Sequence, residues 1–180
     1  MLVTPSDQLI TKQEEYLKVI KEVKKLAEEG YLVTLGIKPA YPETGFGYIE
    51  ADGNDVIQFR EKPTKEKAAE YLEQGNFYWN SGMFVFQSQQ FLTALKMHAP
   101  LIAQYTETAW QDRRVDQAFI RPNPKAFEDC PAESVDYAVM EVAKRVAVVP
   151  LSAGWSDIGS WQSIWAVSDK DLDLNVSKGD

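Results

Sequence analysis

Asp157 has the strongest chemical claim in this sequence. It lies in Ala153-Gly-Trp-Ser-Asp-Ile-Gly-Ser-Trp161, a single carboxylate flanked by two glycines and two tryptophans, just after the apolar run Arg145–Leu151. Gly154 and Gly159 permit backbone angles that other residues avoid. Trp155 and Trp161 are bulky rings beside a tight turn and call for packing partners. A carboxylate on a bent loop after a strand can ligate a metal or a substrate. The same residues also make a turn capped by Asp157 and packed by both tryptophans. A second carboxylate, Asp7, follows Met1–Thr4, which reads as the end of a buried strand closed by Pro5-Ser6. Open α/β sheets place ligands beyond the C-terminal ends of their strands; a turn or helix-cap role is the other reading of Asp7.

Further polar groups stand at element ends. Thr44-Gly-Phe-Gly-Tyr-Ile49 carries Gly45 and Gly47, which let backbone N–H groups approach a ligand and equally suit a hairpin. Glu61-Lys62-Pro63 follows a strand, and Pro63 biases Lys62 toward extended backbone, with neighbouring side chains on opposite faces. A solvated charged pair of little energetic weight is the alternative there. Asn80-Ser81-Gly82 sets two polar side chains before the apolar strand Met83–Phe86, where a turn is the default. Glu133 and Asp136, three apart, share one face of a predicted helix, or complement its dipole. His98 precedes Ala99-Pro100 at a helix end and reads as structural, because no other His or Cys cluster is available for a transition metal.

The elements that must position these groups are legible in outline. Thr11-Lys-Gln-Glu14 fits a capping box. Tyr16, Leu17, Val19, Ile20, Val23, Leu26 and Ala27 follow at helical spacing, with Gly30 as the stop. Tyr31–Ile37 is apolar enough for a strand covered on both faces. Strand, helix and strand in this order imply a parallel crossover and an α/β sheet. A turn at Ala51–Asp55 joins two short strands, the second Val56–Arg60. Thr64 caps a helix through Gln74 closed by Gly75, Ser88 caps another through His98, and Leu101–Trp110 is a third. The polar stretch 111–130 reads as a surface excursion, Trp161–Val167 as a last helix, and 169–180 as a linker.

Composition narrows the classes. With 180 residues the chain holds one domain or a piece of a larger one. A net charge of −8 with no separate Lys/Arg cluster argues against a nucleic-acid or anionic-membrane surface. The single Cys130 excludes a disulfide within the chain and suits a reducing cytoplasm. No apolar run approaches the roughly 20 residues of a membrane helix, and the first residues lack the basic and apolar regions of a signal peptide.

Six segments, in order, resemble one family, the mannose-1-phosphate guanylyltransferases (GDP-mannose pyrophosphorylases), of the bacterial type often fused to a phosphomannose isomerase domain. They are Val3–Gln8, Thr44–Ile49, Phe59-Arg-Glu-Lys-Pro63, Trp79-Asn-Ser-Gly-Met-Phe84, Glu133-Ser-Val-Asp-Tyr137 with Met140-Glu141, and Gly154–Trp161. The resemblance implies a nucleotidyltransferase (glycosyltransferase-A-like) α/β fold, a mixed sheet flanked by helices, here lacking its N-terminal nucleotide-binding strands. It further implies that GTP and mannose 1-phosphate give GDP-mannose and pyrophosphate with Mg²⁺. Asp7 and Asp157 would be the metal carboxylates, and with Lys62 on the sugar phosphate they form the expected catalytic set. Gly45, Gly47, Tyr48, Glu61, Asn80, Ser81, Glu133 and Asp136 complete the expected substrate-binding set. Residues 1–168 would be the sugar-phosphate half of the domain, in its C-terminal part, and 169–180 a linker toward a further domain. The family's glycine-rich, Arg-bearing loop is not in this chain, so the fragment alone is expected to be inactive. Small molecules are the expected partners, with a homo-oligomer allowed. The pattern departs at Gln8, where the family has His, and at Val142, where it has Lys; Lys144 is the neighbouring candidate to replace that Lys. A pyrophosphorylase for another sugar or base, or a non-catalytic sugar-phosphate-binding homologue, are the other readings.

Overall fold

The structure is a computed structural model and describes residues 1–177. Its elements are β1 (Leu2–Val3), β2 (Leu9–Ile10), α1 (Gln13–Glu28), β3 (Leu32–Ile37), β4 (Tyr48–Asp52), β5 (Asp55–Arg60), α2 (Lys65–Gln74) and β6 (Phe77–Val85). Then follow α3 (Ser88–His98), α4 (Pro100–Gln111), β7 (Arg114–Asp116), β8 (Phe119–Arg121) and α5 (Pro124–Glu128). A π-helical turn (Asp136–Met140), β9 (Val146–Pro150), β10 (Trp155–Ser156) and α6 (Trp161–Val167) complete the chain.

One mixed sheet, in the order β1-β6-β3-β9-β5-β4, carries the domain; β6 also pairs with β4. All six residues of β3 are buried, Thr34 among them, which explains its largely apolar run: each face is covered by helices. Val33, Leu35 and Ile37 face one layer, packing with Val23 and Ala27 of α1 and Ala68 of α2. Leu32 joins the other layer with Phe84, Leu95 of α3, Ala103 of α4, and Val139 and Met140 of the π-helical turn. β3 and β9 are parallel. β1 and β3 both run antiparallel to β6, so the β1–α1–β3 crossover is parallel in sense, with β6 inserted between its two strands.

Several expectations hold in detail. Thr64 accepts from the Lys67 N–H at the start of α2, and Gly75 closes that helix at φ 78°. Others are corrected. β1 is exposed rather than buried, because it is an edge strand bonded only to β6. Thr11 does not cap α1; its hydroxyl donates to the Gly154 carbonyl instead. Gln87, not Ser88, is the N-cap of α3. Asn80-Ser81-Gly82 is no turn but part of β6, bulged where Thr34 faces Phe84 while Gly36 faces Asn80. Residues 111–130 form the exposed β7–β8 hairpin and the short α5. Of the expected linker 169–180, the last three positions lie outside the described residues.

Gly36 shows how tightly the centre of the sheet is packed. A Cβ there would stand 2.6 Å from Val148 Cγ2 and 2.8 Å from Tyr78 Cβ. Gly36→Ala is therefore expected to lower unfolding free energy by about 1–3 kcal/mol through overpacking, read as a lower urea midpoint at unchanged m-value.

Candidate active site

The two aspartate-bearing segments are brought together by a small second sheet. β2 pairs antiparallel with β10, Leu9 opposite Ser156 and Ile10 opposite Trp155. The same register continues in the Thr11 N–H to Gly154 carbonyl bond of 3.2 Å and the Lys12 N–H to Ala153 carbonyl bond of 2.9 Å. Asp7 and Asp157 both lie just past the same end of this ladder, so two segments far apart in sequence leave it side by side. Gly154 makes this approach possible: at φ 63°, a Cβ would collide with Thr11 Oγ1. At Gly159 a Cβ would meet Asp157 Oδ2 at 2.6 Å.

A cavity of about 360 Å³ opens beside Asp157. Its walls include Ile37 at the end of β3 with Lys38 just beyond, and Leu151 and Ser152 after β9, so it lies off the C-terminal ends of the two parallel strands, where open α/β sheets bind ligands. Tyr41, Phe46, Trp79 and Trp155 supply an aromatic wall. Trp79 meets Tyr41 at 4.9 Å and Phe46 at 5.2 Å, and Phe46 meets Trp155 at 5.5 Å, all edge-to-face. Burial raises the Tyr41 hydroxyl above its ordinary pKa, and Glu43 and Asp157 add to the rise. Trp155 thus packs as expected. Trp161 does not: it starts α6 at 88% exposure, because the helix turns its first residue outward.

Phe46 links this cavity to a polar cluster on its other side. A Cβ on Gly47 would stand 2.8 Å from Glu61 Oε2 and 3.7 Å from Asn80 Cβ, so the Glu61 carboxylate lies directly over the bare Cα and would have to shift to admit a side chain there. The Asn80 N–H donates to the Gly47 carbonyl at 2.8 Å, and Asn80 Nδ2 donates to Asp136 Oδ1 at 2.6 Å. Asn80 Oδ1 accepts from the Gly82 N–H. Lys62 Nζ lies 3.7 Å from Glu61 Oε1 with a largely exposed side chain. Its backbone is left-handed at φ 39°, which corrects the extended conformation expected before Pro63.

The remaining expected site residues divide. Gly45 donates its N–H to Glu43 Oε1 at 2.7 Å. Tyr48 is fully buried, its hydroxyl donating to the Glu43 carbonyl at 2.8 Å. Ser81 is buried in the β6 bulge, its hydroxyl donating to the Leu35 carbonyl at 2.6 Å. Tyr48 and Ser81 are thus buried and committed to backbone carbonyls, whereas Gly45 lies in the exposed loop before β4. Glu133 and Asp136 do not share a helix face; Glu133 precedes the π-helical turn in an exposed stretch, and Asp136 begins it. Lys144 lines a different cavity with Gly30 and His98, before β9 rather than after it, so it does not stand in for the missing Lys.

Two residues emerge whose roles no local pattern announces. Glu141 is raised above the ordinary carboxylate range, first by burial and then by Glu61 and Asp136. Its place in Met140-Glu141 is visible in the chain, but not that the π-helical turn brings it near Glu61. Gln8 bridges Trp155 and Ser81, contacts that depend wholly on the fold.

Residues 1–173 match the NTP_transferase family, described as nucleotidyl transferase. A mannose-1-phosphate guanylyltransferase from Salmonella montevideo is 45% identical over all of this chain and 41% of its own length. The chain thus spans about two fifths of the curated relatives it matches. A solved Helicobacter pylori structure described as mannose-6-phosphate isomerase superposes with TM-score 0.80 at 42% identity, covering 86% of this chain and 62% of that one. A Thermus thermophilus structure described as mannose-1-phosphate geranyltransferase gives TM-score 0.82 at 31% identity, covering 94% and 50%. The mixed α/β sheet, the loops gathered at its parallel strand ends and these matches agree, and the chain belongs to the nucleotidyl transferase family.

Proposed function

We propose that this chain carries the sugar-phosphate half of the active site of a mannose-1-phosphate guanylyltransferase, residues 1–168 forming that half. The reaction joins GTP and mannose 1-phosphate into GDP-mannose and pyrophosphate. The observation that carries the reading is the β2–β10 pairing, which draws the Asp7 and Asp157 segments to one edge near the Glu61–Asn80 cluster. The similarity to enzymes so named supports the choice of sugar and base.

Asp7 and Asp157 fit Mg²⁺. They are hard oxygen donors with no His or Cys beside them, and among the described residues no group of three or more His, Cys, Asp or Glu side chains could hold an ion. Mg²⁺ is commonly held by one or two carboxylates, with phosphate and water filling its other positions. When bound, the ion would neutralise charge on the reacting phosphates.

The chain's own residues do the rest by positioning, which is how phosphoryl-type transfer is chiefly catalysed. The Lys62 ammonium holds the sugar phosphate. Glu61 accepts from sugar hydroxyls, and Glu133 supplies a further carboxylate. Asn80 commits one Nδ2 hydrogen to Asp136 and its Oδ1 to Gly82, which fixes the amide and leaves one N–H for a hydroxyl. Tyr48 and Ser81, buried and bonded to backbone carbonyls, hold the strands that carry this surface, and Gly45 lines the exposed loop beside it. A phosphate oxygen of mannose 1-phosphate attacks the nucleotide α-phosphorus in line; the new P–O bond forms as the α–β bridge breaks and pyrophosphate leaves with its electron pair.

Two outcomes test this reading in the full-length protein, and a third tests the carboxylate cluster beside it. Asp157→Asn should lower kcat for GDP-mannose formation by about 10²–10³-fold, the scale of losing a key electrostatic stabiliser; unchanged Mg²⁺-dependent turnover would return Asp157 to a turn cap. Lys62→Met removes a charge-assisted contact of about 1.5–3 kcal/mol, so mannose 1-phosphate binding should weaken roughly 10–150-fold while GTP binding stays put, as titration calorimetry would show. Glu141 yields a pH signature. Its folded carboxyl is raised, so the folded chain holds a proton that the unfolded chain releases, and stability falls as pH climbs from the ordinary carboxylate range through the raised value. Glu141→Gln should flatten that fall in thermal melts run from about pH 4 to pH 7.

A further inference from the structure

We propose that Gln8 is the positioning residue that locks the two carboxylate-bearing segments onto the sugar-side strand, a role that rests on the reading of Asp7 and Asp157 as cation ligands. The Gln8 side chain makes two hydrogen bonds to partners far away in sequence. Its Oε1 accepts from Trp155 Nε1 at 2.9 Å, and its Nε2 donates to the Ser81 carbonyl at 2.8 Å. The partners leave the amide no choice of orientation: an indole N–H only donates and a carbonyl only accepts.

Each partner belongs to a segment that matters. Trp155 lies on β10, two residues before Asp157, with its ring against Phe46 of the cavity wall. Ser81 lies in the bulge of β6, where the ladder to β3 slips between Thr34 and Gly36. A bulge leaves a backbone group outside the ladder, and Gln8 supplies the partner that the Ser81 carbonyl needs. The next residue back is Asn80, bonded to Gly47 and Asp136. Gln8 itself directly follows Asp7. Pro5 docks on the same bulge: a Cβ on Gly82 would come within 3.4 Å of Pro5 Cγ. One amide therefore fixes the carboxylate pair relative to Asn80. Its side chain touches neither cation nor sugar in this scheme and works through Asp7, Asp157 and Asn80.

The chemistry dictates the variants. Gln8→Met keeps the length and removes both hydrogen bonds. Gln8→His at about pH 8 offers one acceptor and one donor, as neutral imidazole does. Trp155→Phe keeps an aromatic ring and removes the indole N–H. In the full-length protein, Gln8→Met is expected to weaken Mn²⁺ binding, followed by electron paramagnetic resonance of the free ion, by about 10–100-fold, the usual range for outer-shell partners of metal ligands. It should lower kcat more than it raises the KM for mannose 1-phosphate and shift tryptophan emission, with far-UV circular dichroism unchanged. Gln8→His should recover most of the affinity. Should Gln8→Met not fold, Trp155→Phe must show the Mn²⁺ loss on its own. Wild-type Mn²⁺ affinity in Gln8→Met or, failing its folding, in Trp155→Phe would overturn the proposal while leaving the cation site standing. A wild-type protein that bound no Mn²⁺ would remove the carboxylate reading and this one with it.

Discussion

The pairing of residues 9–12 with 153–156 is the constraint on which the candidate site depends. The large sheet alone would leave the loops after β1 and β9 as independent excursions. Four backbone positions in one continuous register, from the Leu9–Ser156 pair to the Lys12–Ala153 bond, stitch them together. Because a strand's side chains alternate between faces, a slip of one residue would put Leu9 and Ile10 on the opposite faces relative to Ser156 and Trp155 and shift the two aspartate-bearing ends past one another. Gly154 is the residue that permits the close approach, since a side chain would occupy the space of Thr11 Oγ1. Thr11, which by pattern looks like a helix cap, serves this junction instead.

Beneath that junction the large sheet supplies rigidity. β3 and β9 are buried and parallel, and their C-terminal ends form the floor of the cavity. β6 has two roles. β3 pairs along both halves of it; the first half also pairs with β4 and holds Trp79 and Asn80 beside Gly47, and the second half also pairs with β1. The bulge at Ser81–Met83 lets one strand serve both neighbours, and the Ser81 hydroxyl secures it by donating to Leu35 and accepting from the Met83 N–H. The site is therefore built on strand ends and a satisfied bulge.

What can be read from the sequence is what local chemistry determines. The Thr64 cap and Gly75 stop depend only on residues within one helix, and β3 declares itself by a run that is apolar but for Thr34; both are legible nearly to the residue. The motif segments point to the residues that the structure gathers around Asp157 and Asn80. What cannot be read depends on partners distant in sequence. The two-residue strands β2 and β10 are too short to show a period. The bulge at Ser81 resembles a turn because Asn-Ser-Gly is turn chemistry. The π-helical turn looks like an ordinary helix start, so helical spacing assigns Glu133 and Asp136 to one face that does not exist. Gln8 reads as a mere departure from pattern because its value lies in Trp155 and Ser81.

Lys62 makes the same point at the level of backbone energy. A residue before proline is pushed toward extended conformations, yet Lys62 sits at φ 39°. Ile158, a β-branched residue next to Asp157, sits at φ 51°, a conformation its side chain disfavours. Strained backbone of this kind costs of order 1–3 kcal/mol per residue and persists only where surrounding structure over-determines it. Gln117 and Leu174 share the sign of φ in exposed connections, so the conformation by itself identifies no site. The neighbours make the difference. Ile158 is followed by Gly159, whose missing side chain makes room for the Asp157 carboxylate, and its N–H is held by Ser156 Oγ at 3.2 Å. Lys62 lies between Glu61, which fills the space left by Gly47, and the capped start of α2. In both loops the fold holds an unfavourable backbone angle next to a carboxylate for which a glycine has made space. That combination, rather than either feature alone, distinguishes these two turns from those at Gln117 and Leu174.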